Sequence, residues 1–318
     1  MMASEIYEPG RIRLVDVSPA ELDGTPDRLL FKPELGCLCG SDIPYFNRRA
    51  VPPKIGHSMH EIIGRVLATT GQRFQVGDRL LCKEPEQRGL RERFILDEAE
   101  AVTLEPGLSD EQAVLSQPLG TVVYGLRKLP DLTDATVAVV GQGPIGQLFC
   151  AALRSRRARQ IIAVDPIAHR LQVSLKMGAT DAVNAAAGDP VAAVRRLTGG
   201  VGADLVVEAV GHQEFALNAC VQMCRHDGAV MQFGIPPHDG AGLNLREIFR
   251  KNLRVYTSVG PDPVRDYGEA MRWIREGVVD VMPIVTHRLP IERVQEAFEL
   301  YRDRSDGALK VFIEVPAE

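Results

Sequence analysis

The 318-residue chain has no surplus of positive charge: 37 Lys and Arg stand against 42 Asp and Glu, a formal net charge of −5. That balance argues against a general nucleic-acid surface and against an anionic-membrane surface. No run approaches the roughly 18 apolar residues that a membrane helix needs. The first ten residues hold Glu5 and Glu8 and no apolar core, so they do not read as a signal peptide, and a cytoplasmic location is expected. Internal repeats and low-complexity segments are also missing from the sequence. Cysteine is sparse, at six residues: Cys37, Cys39, Cys82, Cys150, Cys220 and Cys224. In a reducing compartment such thiols stay unpaired, which opens metal binding to them. What remains is an ordinary globular composition, 45% hydrophobic and 25% charged, enough for one large domain or two medium ones.

Up to about residue 118 the sequence reads as short β segments broken by turns, at 12–17, 29–32, 61–68, 75–82 and 93–96. The texture then changes. Strands at 136–140, 160–165, 205–208 and 229–234 alternate with helices at 145–156, 168–177 and 215–223, which predicts a parallel sheet with crossover helices. Beyond about residue 258 come a helix at 264–276, a segment at 284–289, a helix at 291–302 and a last strand at 308–315. The expected fold class is α/β. A β-rich, barrel-like domain takes 1–118 and 259–318, and a nucleotide-binding domain is inserted over 119–258.

Val137-Ala-Val-Val-Gly141-Gln-Gly143-Pro144-Ile145-Gly146 runs straight from a strand into a helix. The first glycine permits a tight turn, the second lets backbone approach a pyrophosphate, and the third allows close helix–strand packing. Helix N-terminal amides then face the phosphates. A glycine loop alone is weak, but the next strand ends in Asp165, 19 residues after Gly146, where a ribose-binding carboxylate belongs. Asp165 accepts hydrogen bonds from ribose hydroxyls and repels a 2′-phosphate, which favours NAD over NADP. Arg170 works the other way, since a nearby guanidinium offsets that repulsion; it also reads as a solvated helix residue.

Cys39-Gly-Ser41-Asp42 follows an early β segment, and His60-Glu61 begins 21 residues beyond Cys39. A thiolate and an imidazole brought together suit zinc, and a catalytic site leaves a position for water or substrate. Each piece alone is weak; their order, ahead of a nucleotide-binding fold, is informative.

With these motifs in place, the sequence resembles the zinc-dependent medium-chain dehydrogenase/reductase superfamily over nearly its whole length. It is nearer the polyol, sugar and threonine dehydrogenase branch than the liver-type alcohol dehydrogenases. Gly77-Asp78, Gln117-Pro118-Leu119, Asp204-Leu-Val-Val-Glu208-Ala-Val-Gly211, Thr286-His287 and Gly307-Ala-Leu-Lys310 carry the resemblance further. It implies a GroES-like β-barrel catalytic domain and a Rossmann domain. It further implies that Cys39 and His60 hold a catalytic zinc, with Glu61 either a ligand or a group just behind the ligands. Asp42 is then expected to orient His60 through the second ring nitrogen, and Ser41 to pass the substrate proton outward. The implied reaction is hydride transfer between NAD and a secondary alcohol: a polyol, sugar, cyclitol or amino-alcohol. A homodimer or homotetramer is implied by the family alone.

The sequence departs from the family pattern in several places. Gln117 stands where the branch usually has Glu; its amide oxygen is kept as a candidate ligand beside the alternative of a buried amide bound to backbone. Met59 replaces the glycine before the His-Glu pair, and His57 is a rival ligand to His60. Pro44 replaces a histidine used for proton relay. Only Cys82 lies where the family often inserts four cysteines around a structural zinc, so one catalytic ion and no structural zinc are expected. Two other readings stand beside this one: a zinc-independent quinone or enoyl reductase of the same superfamily, and a non-catalytic NAD-binding protein with a degraded site.

Overall fold

The computed structural model describes residues 1–47, 53–213, 215–236 and 243–316. In chain order its elements begin with β1 (Met2–Glu8), β2 (Arg11–Asp16), β3 (Arg28–Cys37), α1 (Ile43–Phe46), β4 (Glu61–Thr69), β5 (Arg79–Lys83), β6 (Phe94–Asp97), β7 (Ala101–Thr103) and α2 (Asp110–Arg127). Then come β8 (Thr136–Val140), α3 (Pro144–Ser155), β9 (Gln160–Asp165), α4 (Ala168–Lys176), β10 (Asp181–Asn184), α5 (Pro190–Leu197) and β11 (Ala203–Glu208). They are followed by α6 (Ala216–Met223), β12 (Cys224–Gln232), α7 (Leu245–Arg250) and β13 (Arg254–Thr257). The chain closes with α8 (Gly268–Arg275), β14 (Val285–Pro290), α9 (Val294–Asp303) and β15 (Lys310–Glu314). No described helix is long and apolar enough to cross a membrane.

The chain divides into two units. The first, residues 1–120, 262–275 and 285–318, is built on a mixed sheet in the order β14-β15-β3-β4-β5-β7. Its axis is β3, which pairs with β4 along its length, with β15 near Cys37 and with β6 over Arg28–Phe31. One long strand thereby joins the C-terminal strand β15 to β4 and β6. Phe31 and Phe94 stack in its core at 5.4 Å, and α1 is anchored by Phe46 against Phe298 of α9 at 4.9 Å.

The second unit, residues 121–261 and 276–284, holds a six-stranded parallel sheet in the order β10-β9-β8-β11-β12-β13. The strands β8, β9 and β11 are almost wholly buried and mostly apolar, as is β12 over its second half, as a sheet covered on both faces requires. Winding reverses between β8 and β11, which is a topological switch point. Residues 276–284, which the sequence reading placed with the first domain, group here because the turn at Met282–Ile284 packs on α4.

Among the elements that the sequence reading does not contain, two stand in the first unit's N-terminal part. The stretch before residue 118 was expected to be β segments only, yet α2 starts at Asp110 and passes through Pro118. An interior proline removes a helix hydrogen bond at a cost of about 3 kcal/mol, so local propensity conceals this helix. Burial of Val114, Leu115, Leu119, Val122 and Val123 holds it together. The N-terminal residues also form a strand, β1, pinned antiparallel to β2 with Ala3 and Ile6 turned inward.

Candidate active site

Strand register assembles the cluster in the first unit. Cys37, the last residue of β3, sits opposite Glu61, the first of β4. Two residues past Cys37 comes Cys39, and one before Glu61 comes His60. Their donor atoms, with a Glu61 carboxylate oxygen, all lie within 4.8 Å of one another. A thiolate, an imidazole and a carboxylate converging this closely are a zinc donor set. Three sequence candidates, 21 residues apart in the chain, thus meet at one point, and the residues fit the ion that the resemblance implies.

Charge around the cluster is strongly organised. One oxygen of Glu61, Oε2, accepts from the Cys37 thiol at 2.9 Å and from the Lys310 ammonium, which also donates to the Leu38 carbonyl at 2.9 Å. Lys310 and Glu61 are both almost fully buried. Burial alone would raise the Glu61 carboxyl, but Lys310 and then His60 hold it below its ordinary value. Burial would lower Lys310; Cys37 and Glu61 instead hold it well above the usual range. The Cys37 thiol is pushed up by burial and by the adjacent carboxylate, so it stays a proton donor. At His60, burial favours the neutral ring, yet Cys39, Asp42 and Glu61 outweigh it and raise the pKa to about 9. The pocket therefore attracts positive charge.

Asp42 does a different task from the one expected. It accepts the backbone N–H of Cys39 at 2.7 Å and of Met59 at 3.2 Å, but its distance to His60 Nδ1 is 4.0 Å, too long for a hydrogen bond. It fastens the Cys39 loop to the segment that carries His60, rather than orienting the ring directly. Burial raises the Asp42 pKa, with the His60 charge working against that rise. Met59 has φ +75°, a left-handed conformation that explains why glycine suits this position. Its side chain is fully buried over Gly36 of β3.

The remaining candidates separate. His57 is outside the cluster: its Nδ1 accepts from the Lys54 backbone at 3.0 Å, and its ring packs on Tyr45 at 4.5 Å. Gln117 is buried on α2, with its amide nitrogen donating to the Tyr267 hydroxyl at 3.3 Å. That leaves its amide oxygen as the donor it can offer a cation. The Ser41 hydroxyl is buried without a hydrogen-bond partner among the described residues.

In the second unit, the glycine loop joins β8 to α3. Gly141 has φ +91°, and a side chain there would strike Val210 and the Ala209 backbone. A Cβ on Gly146 would lie 1.8 Å from the Gly141 carbonyl. Gly143 caps α3 and Pro144 with Ile145 opens it, so the first-turn amides project from the strand end. Asp165 ends β9 and is buried, accepting the Gln142 N–H at 2.7 Å and the Ile167 N–H at 2.8 Å. Each oxygen keeps a further lone pair for a ligand hydroxyl. A terminal nitrogen of Arg170 lies 4.0 Å from where a Gly143 Cβ would sit.

Sequence reasoning gave no role to Lys310 and read Cys37 as a packing residue that could conceivably be a second ligand. The signal available was a single lysine in the otherwise apolar run 308–313, which demands a buried partner.

A sheet-borne Cys-His-Glu cluster in one unit and a glycine loop opening a helix in the other form the arrangement expected of a two-domain dehydrogenase. Comparison with known proteins agrees. A family model described as zinc-binding dehydrogenase matches residues 144–276. An L-threonine 3-dehydrogenase of Bacillus licheniformis is 28% identical, with 88% of this chain and 89% of that protein aligned. An alcohol dehydrogenase from Thermus sp. ATN1 superposes with a TM-score of 0.88 at 25% identity, over 99% of this chain and 100% of that one. A putative zinc-binding dehydrogenase from Sinorhizobium meliloti, solved with NADP, gives 0.83 at 21% identity over 98% of both chains. The chain is thus similar, over nearly its whole length, to zinc-dependent dehydrogenases of the medium-chain dehydrogenase/reductase superfamily. Its two units accordingly have GroES-like and Rossmann folds.

Proposed function

We propose that this protein moves hydride between a secondary alcohol and NAD, with one catalytic zinc and no structural zinc. The convergence of Cys39, His60 and Glu61 donor atoms within 4.8 Å is the observation that carries this reading. When bound, zinc supplies a Lewis acid that lowers the pKa of an alcohol hydroxyl, and NAD supplies the hydride acceptor. Cys39 and His60 hold the ion. Gln117 is neutral, so Glu61 supplies the second negative donor through Oε1, its other oxygen being engaged by Cys37 and Lys310. Gln117 is a further candidate ligand through its amide oxygen. Ser41 relays the hydroxyl proton, accepting it while giving up its own proton outward to water, a role in keeping with a buried hydroxyl that has no partner among the described residues.

The coenzyme lies on Gly141, Gly143, Pro144, Ile145 and Gly146, with Asp165 on the adenosine ribose and Arg170 beside the loop. The placement of Asp165 at the end of β9 favours NAD over NADP. The catalytic domain comprises 1–118 and 259–318, apart from 276–284, which group with the coenzyme domain of 119–258. The substrate is a polyol, sugar, cyclitol or amino-alcohol, in keeping with relatives named for threonine and galactitol 1-phosphate. The free cysteines, buried except for the half-buried Cys39, suit a reducing cytoplasm. Two copies associate through their coenzyme domains: β13 ends the sheet order, and Phe249, Val255 and Val259 around it are exposed. The test is a screen of L-threonine, polyols, sugars and cyclitols with NAD and NADP. NAD reduction by one of these classes is expected; reduction only of quinones or enoyl compounds by the reduced coenzyme would overturn the reading.

A further inference from the structure

Glu208 ends β11 and is 1% exposed, yet no step of hydride transfer employs it. Its Oε1 accepts the backbone N–H groups of Val210 and Gly211 at 2.8 and 3.0 Å. Its Oε2 accepts from Gln232 at 2.6 Å, and the same Gln232 amide donates to the Gly234 carbonyl at 2.6 Å. The Glu208 carbonyl accepts from Phe233 and Gly234, both at 3.0 Å, and His212 donates to Ile235 across the same gap at 2.6 Å. One side chain therefore ties the loop leaving β11 to the loop leaving β12. The first of these loops also supports the glycine loop, since Ala209 donates to Val140 at 2.8 Å and Val210 packs where Gly141 has no side chain.

Position in the sheet gives this knot its meaning. A dinucleotide on a doubly wound sheet lies across the C-terminal strand ends at the switch point, here between β8 and β11. Asp165 on β9 marks the adenosine side. The other half must then lie over the ends of β11 and β12, on the two loops that Glu208 joins. We propose that Glu208 is a positioning residue that fixes the platform under the nicotinamide half of the coenzyme, without touching it. This rests on the dinucleotide site argued above.

The test compares NADH with ADP-ribose, which keeps the adenosine and pyrophosphate but lacks nicotinamide. Binding of each to the intact protein is measured by calorimetry. Glu208→Ala is expected to weaken NADH by about tenfold or more while changing ADP-ribose by less than about twofold. Glu208→Gln keeps an acceptor for Val210 and Gly211, so it should weaken NADH less than the alanine variant does. Gln232→Leu removes the tie to the second loop alone and should show the same selectivity for NADH, even if Glu208→Ala fails to fold. Equal weakening of both ligands in these variants, or no weakening of NADH, would overturn the proposal. Wild-type protein that binds neither ligand would instead overturn the coenzyme reading beneath it.

Discussion

Glu61 is buried beside a histidine and two cysteines, and a carboxylate in such a place needs a fixed counter-charge. Lys310 provides it. Replacing Lys310 by methionine keeps the bulk and strands the carboxylate, so the zinc-free protein should lose about 3–5 kcal/mol in urea unfolding. A loss below about 1 kcal/mol, the scale of an exposed pair, would mean that Glu61 does not depend on it. Asp165→Ala removes the acid at the ribose side and should weaken NAD more than NADP; equal loss of both would contradict the ribose assignment. At this scale, Cys39, His60, Glu61 and the glycine loop were readable because spacing and residue type together encode them. The Lys310 contact was not, because it joins residues 249 apart through the pairing of β15 with β3. The Asp42 contact was misjudged for a related reason: sequence puts Asp42 near His60 but cannot say that backbone amides claim its oxygens first.

Elements were legible where burial is uniform. The apolar runs of β8, β9, β11 and β12 announce a parallel sheet, whereas the outer strands β10 and β13 are short and half exposed, and sequence alone passes over them. One residue stitches the central strands at their N-terminal ends: Asp204 on β11 accepts the Thr136 N–H of β8 at 2.7 Å and pairs with Arg225 of β12 at 2.6 Å. Partial burial works against its ionisation, but the Arg225 hydrogen bond prevails and holds the carboxyl below 3.8. A depressed carboxylate contributes stability above its unfolded pKa and loses it as pH falls through the folded value. Asp204→Asn should therefore cost about 1 kcal/mol at pH 7, after solvent screening of a partly exposed pair, and progressively less as the pH is lowered through the folded pKa of Asp204. A cost that does not change with pH would mean that the charge is idle.

For the whole molecule, the division of labour follows from composition and order. A β-rich unit built from both ends of the chain carries the Cys39-His60-Glu61 cluster, and the doubly wound unit carries the glycine loop proposed to hold the coenzyme. What the pattern of residues leaves unnamed is the alcohol, because short motifs fix the shared chemistry and scattered side chains fix the substrate. The central claim is that one zinc held by Cys39 and His60 enables hydride transfer to NAD. Zinc content, NADH binding and alcohol-dependent NAD reduction, measured together on wild-type protein and Cys39→Ser, test it most directly. About one zinc per chain is expected in the wild type, with metal and turnover lost and NADH binding kept in the variant. A zinc-free Cys39→Ser protein that still reduces NAD at the wild-type rate would contradict the account.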